Sequence, residues 1–428
     1  MTSVQSVLAA FSIILIDLLG RAGLDKVLAL SGGPVVVALW AQLQSVVELI
    51  GGVTMAGVLQ GLTVLIAQMN EARNERDLLR DALKLGLGTS LAVALIVMLV
   101  SPGLAVWLSQ KKIGTELFLL AALAGCITVI PGTLNAYWLG KHMQQRMLGL
   151  ALMTSTILLL VAVCAWLGIS LRGLMRAQIL MLAIIGIVIW LYLLKLSQPG
   201  ETHGKDKAYF RKLLRFVPVG LAIGIMSPVS MLLVRGQLSG SLSWSDVGFL
   251  QALWRSTDWV TSTAAGVLSL LFLPRFSATF GSERFRTEMV RAGKMVLVPA
   301  AGFLLLILLN QRRLLSALYD ASFIVSDQTA ALFMFGCWAR IASWVFLFGL
   351  FAAHRTGLII AGEVFSLPLF ALLLWMFGEG MTLERAALLY LVSYLAYLAF
   401  NAVALNYSLR VTSIAQPKPE DECKPTLG

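Results

Sequence analysis

The chain has 428 residues, of which 58% are hydrophobic and 13% charged, with a formal net charge of +11 and a mean hydropathy of +0.85. A soluble domain carries roughly twice that charged fraction. Apolar runs of roughly 20 residues recur from Val4 to Leu405 without strict alternation, which excludes a globular enzyme with a membrane tag and an outer-membrane barrel alike.

Breaking the hydropathy at charged and Gly/Pro clusters predicts an all-α polytopic membrane protein of about twelve transmembrane helices. The spans fall at roughly 4–30, 34–68, 82–100, 116–140, 148–168, 175–195, 213–235, 246–273, 289–309, 329–353, 358–377 and 385–407. The first begins without the basic n-region or cleavage site of a signal peptide, so it is read as a span. It carries Asp17, Arg21 and Asp25 at i, i+4 and i+8, which places them on one face, with Lys26 near its end. Gly33-Pro34 closes it. The second span carries Gln44 and Glu48 on a common face and is too long for a perpendicular crossing, so it is expected to tilt, or to bend near Gly51-Gly52.

Between the sixth and seventh spans lies the longest polar loop, 197–212, which divides the chain into an N-lobe, 1–196, and a C-lobe, 213–407. Arg235 closes the seventh span. The eighth carries Asp246 near its start and Gln251, Arg255 and Asp258 at i, i+4 and i+7; Arg340 lies mid-way in the tenth, and Glu363 lies five residues inside the eleventh. Residues 408–428 are expected to form a cytoplasmic tail without fixed structure. Ala56-Gly57-Val58-Leu59 recurs as Ala265-Gly266-Val267-Leu268, and at the same offset Gln42 meets Gln251 and Lys26 meets Arg235. Since each half holds an even number of spans, the repeat predicts two parallel lobes related by a pseudo-two-fold axis along the membrane normal, enclosing a cavity.

Loop charges orient the bundle. One side holds 21 Lys and Arg residues and the other 7, so the positive-inside rule places both termini in the cytoplasm. The positive net charge thus reflects topology and anionic membrane lipid, and no nucleic-acid partner follows from it. Cys126, Cys164, Cys337 and Cys423 form no CxxC pair, and neither a disulfide framework nor a metal site is expected. His142, His203 and His354 read as solvated loop residues.

An ionisable residue placed mid-helix costs about 2.5 to 3.5 kcal/mol, so deep ones face protein or water. Lys26, Arg235 and Asp246 are near helix ends, where snorkelling explains them as well as function does. Asp17 with Arg21, and Arg255 with Asp258, are spaced to neutralise each other within a helix. Arg340 has no ionisable neighbour within a turn and needs a partner from elsewhere. A cavity holding Arg21, Lys26, Arg235, Arg255 and Arg340 would suit an anion, above all a pyrophosphate that an arginine fork grips at two oxygens. Asp17, Asp25, Glu48, Asp258 and Glu363 would then couple transport to H+ or Na+. Trp40, Trp138, Trp254, Trp259, Trp338 and Trp344 are candidates for stacking on sugar rings, although interfacial belts and packing account for most membrane tryptophans. No catalytic constellation, Walker A sequence or HExxH appears, and no cofactor is implied.

Ser243-Trp244-Ser245-Asp246-Val247-Gly248, continuing through Gln251, Asp258 and Leu273-Pro274 to Ser277, resembles the Wzx-type lipid-linked oligosaccharide flippases of the MOP exporter superfamily, particularly the lipid III flippase branch. Gly33-Pro34, Gly57 with Gln60-Gly61 and Ala67-Gln68, Arg235, and Ala361-Gly362-Glu363-Val364 extend the likeness along nearly the whole chain. The resemblance implies a MATE-like bundle in the bacterial inner membrane. Its substrate would be an undecaprenyl-diphosphate-linked oligosaccharide unit, moved by alternating access to the periplasmic leaflet for O-antigen, enterobacterial common antigen or a related polysaccharide. A polysaccharide polymerase and a chain-length regulator would be partners. It further implies cavity roles for Lys26, Arg235, Asp258 and Glu363, and extends to Arg21, Arg255 and Arg340. Glu48 and Trp254-Arg255 match no pattern of the family. Two other classes compete. A cation-coupled drug antiporter of the same fold would want an acidic cavity, and a scaffold for polysaccharide assembly would not need a charge such as Arg340 at mid-membrane.

Overall fold

The computed structural model describes residues 3–67, 72–107, 113–141, 143–196 and 207–415. Gln68, Lys111, Lys112, His142, His203, Cys423, the loop through residue 206 and the tail from residue 416 lie outside the described residues. Every expected span is largely helical over its described residues, with a turn at 364–366 breaking the one expected at 358–377. Helices α1 (3–32) and α2 (34–67) form one run broken at Gly33, whose φ of 65° and ψ of −163° leave helical space. Glycine adopts that conformation without a Cβ penalty, and Pro34 has no N–H with which to continue the ladder.

The remaining helices are α3 (Ala72–Trp107), α4 (Thr115–Gly140), α5 (Gln144–Trp166), α6 (Leu171–Leu196), a short α7 (Lys207–Leu214), α8 (Val217–Ser241), α9 (Trp244–Thr279), α10 (Glu283–Leu309), a short α11 (Gln311–Leu318), α12 (Asp327–Ala352), α13 (Thr356–Met376) and α14 (Leu383–Ala415). Among the described residues, ten helical runs are long and apolar enough to cross a bilayer, and the first, Leu15–Ala67, has 53 residues, enough for two crossings.

Two local expectations are corrected and a third is placed more closely. Gly51 and Gly52 are themselves regular helix, and the irregularity near them is a π turn that begins three residues on, at Met55–Leu59. The two glycines serve close packing instead, since a Cβ on Gly51 would stand 2.8 Å from Thr128 Oγ1 and one on Gly52 would stand 3.4 Å from Gly224 O. The second half of the expected loop 197–212 is helical, because Lys207–Leu214 buries Leu213 while Arg211 and Lys212 stay exposed. The last helix continues to Ala415 rather than ending at 407, with no proline or glycine to stop it.

A second π turn, Leu268–Phe272, lies in α9. Both π turns touch the repeated Ala-Gly-Val-Leu sequence, which occupies 56–59 in α2 and 265–268 in α9. The first π turn contains the repeated sequence, and the second begins at its last residue, Leu268.

Helices α1 and α2 pack on α4, α5, α8 and α9, while α12 packs on α14 and α10. No hydrophobic force drives helices together in lipid, so small residues that allow close backbone approach hold such bundles. A Cβ on Gly220 of α8 would lie 2.4 Å from Gly57 Cα and 2.6 Å from Val53 O. At the other end of α2, a Cβ on Gly248 of α9 would lie 2.1 Å from Pro34 O.

Helix α9 starts in a capping box: Ser243 Oγ accepts from the Asp246 amide at 3.2 Å, and Asp246 Oδ2 accepts from the Ser243 amide at 3.1 Å. Asp246 is therefore accounted for by helix initiation. Two turns on, Trp254 is caged edge-to-face by Phe333, Phe370 and Tyr390, with centroids 5.6, 6.3 and 5.8 Å away. This fixes the rotation of α9 and so aims the next residue, Arg255, at α1.

Candidate functional site

A cavity of about 910 Å³ lies between α1, α2, α4, α5, α6, α8 and α9. Its lining runs from Ile13, Asn135 and Met147, toward the end of the bundle where α1 begins, to Trp40 and Arg255 deeper in. The opposite end is closed by the Gly248–Pro34 contact and by Lys26, whose Nζ donates to Ser316 O at 3.2 Å.

An alternating chain of charge crosses one wall. Arg21 Nε lies 3.0 Å from Asp17 Oδ2 on α1, and one turn on Asp25 Oδ2 lies 3.3 Å from Arg255 Nε on α9. Arg255 Nη1 donates to Asp258 Oδ2 at 3.3 Å. The α1 stripe therefore meets the α9 stripe, as helical spacing allows. Asp25 is buried, whereas Asp17 and Arg21 side chains are 40% and 41% exposed. Among the described residues Arg255 Nε has no aligned hydrogen-bond acceptor, so its contact with Asp25 is an ion pair by distance alone. A void of about 20 Å³, closed by Leu318 and Tyr319, adjoins Asp25, Arg255 and Asp258.

Of the candidate residues, Asp17, Arg21, Asp25, Glu48 and Arg255 line the cavity, and Asp258 sits behind Arg255 at the small void. The expectation that five basic residues share one cavity does not hold. Lys26 is five residues from Arg21, on another face, and reaches the bundle end. Arg235 is 3% exposed and donates to Ser45 Oγ at 2.7 Å, Ala41 O at 3.2 Å and Gln251 Oε1 at 2.9 and 3.1 Å. It ties α8 to α2 and α9 through neutral acceptors. Glu363 lies apart, at the break in α13, where its Oε1 accepts from Tyr397 OH at 2.7 Å. The cavity lining thus carries three acids against two guanidiniums.

Arg340 also lies outside the cavity. Its guanidinium sits 4.8 Å from the ring centroid of Trp344, one turn along its own helix, and 5.7 Å from that of Tyr394 on α14, so it is held over aromatic rings. Desolvated cation–π contacts contribute up to about 2 kcal/mol each. Arg340→Ala is accordingly expected to lower the melting temperature of the detergent-purified protein by several degrees, with Arg340→Lys intermediate. An Arg340→Ala protein that melts as the wild type does but no longer transports would return this residue to the substrate path.

Of the neutral wall residues, Gln44 is marked in the sequence by the face it shares with Glu48, and its partner on α6 is not. Gln44 Nε2 donates to Gln178 Oε1 at 3.0 Å, and Gln178 Nε2 returns a bond to Gln44 Oε1 at 3.4 Å. Asn135, Thr128 and Thr154 share this lining. A signal existed in the amides at 135 and 178 within apolar spans, but charge drew the eye first. Of the six tryptophans considered, Trp40 lines the main cavity and Trp259 the small void, while Trp254 is caged, Trp338 donates to Leu297 O, and Trp344 holds Arg340.

No family model matches the sequence. The chain aligns over 95% of its length, and 96% of the other's, with an inward-facing multidrug resistance MATE family transporter of the MOP superfamily, at a TM-score of 0.70 and 12% identity. The fold is that of the MATE transporters. The MATE multidrug transporter DinF-BH agrees at a TM-score of 0.67 and 14% identity over 97% of this chain and 96% of that one. In sequence the chain is a distant homologue of the lipid III flippases of Escherichia coli (strain K12) and Shigella flexneri, each 27% identical over 312 residues, which cover 65% of this chain and 68% of theirs. These relatives are transporters and flippases, not enzymes. The chain is a multi-pass membrane protein with the MATE fold.

Proposed function

We propose that this MATE-fold protein is a flippase for lipid-linked oligosaccharides in a bacterial inner membrane, with both termini cytoplasmic and lobes 1–196 and 213–407 rocking about the cavity. The fold is shared with drug transporters, so it does not choose the cargo. The observation that carries the reading is the homology to lipid III flippases over 312 residues, joined by Arg21, a guanidinium 41% exposed to the cavity.

In this reading a diphosphate competes with Asp17 for Arg21, and with Asp25 and Asp258 for Arg255. The acids so released take up a proton or cation, which links cargo entry to coupling. Lys26, Arg235 and Arg340 support the arrangement from outside, and Glu363 is reserved to the α13 break. Arg21→Ala is expected to reduce flipping at least tenfold, with Arg21→Lys retaining part, because a lysine keeps the charge and loses the fork. The assay is the initial rate of exposure of polyprenyl-diphosphate-linked N-acetylglucosamine in proteoliposomes. Unchanged rates for Arg21→Ala would remove it from the cargo site.

The acid surplus in the cavity lining favours a second reading, a cation-coupled multidrug antiporter. Uptake of a cationic dye against a gradient, with no flipping of the polyprenyl diphosphate, would select it.

A further inference from the structure

A second concentration of charge lies outside the cavity, at the end of the bundle where α1, α3 and α8 all begin. Arg76, Arg80 and Lys84 recur at i, i+4 and i+8 along α3 and are exposed, while Leu78, Leu79, Ala82 and Leu83 among them are buried. The short helix α7 packs on α3 and touches α2, and its Leu213 joins the buried cluster of Leu62, Ile66, Leu78 and Leu79. The outward side of α7 is of two kinds. Phe210 and Leu214, one turn apart, are exposed and apolar; on the adjoining face Arg211, with Arg215 just past the helix end, is exposed and basic.

Acids do not cancel this charge. Asp81 interacts electrostatically with Arg80, Lys84 and Asp77, and Glu75 is buried and taken by Lys141 and Tyr137. Arg211 and Arg215 make no ion pair among the described residues. Two exposed apolar side chains beside a row of cations, between a span that ends at Leu196 and one that begins at Val217, suit the boundary of acyl chains and headgroups. Guanidiniums there engage phosphate oxygens, and each cation is drawn to an anionic leaflet.

The surface is also joined to the cavity. Residues 215–216 link α7 to α8, and a Cβ on Gly57 or Gly61 of α2 would stand 3.1 Å from Phe216 O or 2.8 Å from Phe216 Cδ2. The link is thus wedged against α2, and α8 goes on to line the cavity with Gly224, Ser227 and Pro228.

We propose that α7 and the exposed stripe of α3 form a binding surface for anionic phospholipid. Phe210 and Leu214 sit among the acyl chains, while Arg211, Arg215, Arg76, Arg80 and Lys84 meet the headgroup phosphates. The bound lipid holds the α7–α8 link against α2 at the mouth of the cavity. A drug antiporter of this fold would carry the same surface, so the outcome is independent of the cargo.

The experiment titrates the full chain, purified in detergent, with phosphatidylglycerol, phosphatidylcholine or inorganic diphosphate, counting bound molecules by native mass spectrometry and following the melting temperature. Phosphatidylglycerol is expected to bind about tenfold more tightly than phosphatidylcholine, and Arg211→Gln/Arg215→Gln to weaken it about thirtyfold. The control Arg284→Gln/Arg286→Gln, which removes the same charge from exposed positions at the start of α10, is expected to stay within about twofold of the wild type. Phosphatidylglycerol should raise the melting temperature of the wild type and the α10 variant but not that of the α7 variant, since a ligand of the folded state stabilises it. Equal affinity for the two lipids, or equal losses in the two double variants, overturns the proposal. Diphosphate bound as tightly as phosphatidylglycerol overturns it too, reducing the surface to a site for free anions.

Discussion

Replacing Arg255 by alanine is expected to cause the largest functional loss of any single change in the site. The guanidinium is 21% exposed and lies within 3.3 Å of both Asp25 and Asp258, whose side chains are 10% and 31% exposed. Removing one partner of a buried ion pair costs about 3 to 5 kcal/mol, because the remaining charge keeps its desolvation penalty. Arg255→Ala should therefore both melt earlier and abolish flipping. The double variant Asp25→Asn/Arg255→Ala removes the more buried of the two stranded carboxylates and leaves Asp258, and is expected to recover part of the melting temperature without recovering transport. That split assigns Arg255 a role beyond stability. If the double variant regains transport together with stability, the ionic chain is structural and the cargo is held elsewhere.

Gly220→Val is expected to be the most damaging change outside the site. The new Cβ would meet Gly57 Cα, Gly57 N and Val53 O at 2.4, 2.5 and 2.6 Å, all of them backbone atoms. Nothing there can swing aside, so α8 must move off α2, and overpacking of this kind costs about 1 to 3 kcal/mol or more. In lipid, close backbone approach is itself the source of helix association. The control is Gly293→Val on α10, where an added Cβ meets nothing within 4 Å. Size-exclusion yield and melting in detergent should fall sharply for the first and little for the second. Equal behaviour would mean that α2 and α8 do not cross at these glycines.

The spans and their breaks were legible because hydropathy and punctuation are local properties. Gly33-Pro34 announced the α1–α2 break by residue type, and the i, i+4, i+8 spacing of Asp17, Arg21 and Asp25 put one stripe on one face. What periodicity does not supply is the direction in which a face points once twelve helices pack. Arg235 and Arg340 share the depth of Arg255, yet one is bound by neutral acceptors between three helices and the other is held over aromatic rings. Ser45, Gln251 and Tyr394 are distant in sequence, and Trp344, one turn from Arg340, is near but uncharged. The irregularity near Gly51-Gly52 was legible only to within a turn for a related reason: paired glycines signal either weakness or close approach, and the neighbour that decides, Gly224 of α8, is 172 residues away from Gly52. The neutral amide wall was hidden because uncharged side chains leave no mark on a charge count.

The π turns at Met55–Leu59 and Leu268–Phe272 bear on how this sequence can drift over generations. A π turn holds one residue more than the α-helix it interrupts. Elsewhere in a span, losing a codon rotates everything downstream by about 100° and turns a packed face toward lipid. Losing one within either π turn instead restores regular helix and leaves the flanking faces where they were. Helices α2 and α9 each contain one place where a single-residue deletion is absorbed on the spot, so length variation among relatives should collect there while the neighbouring spans keep theirs.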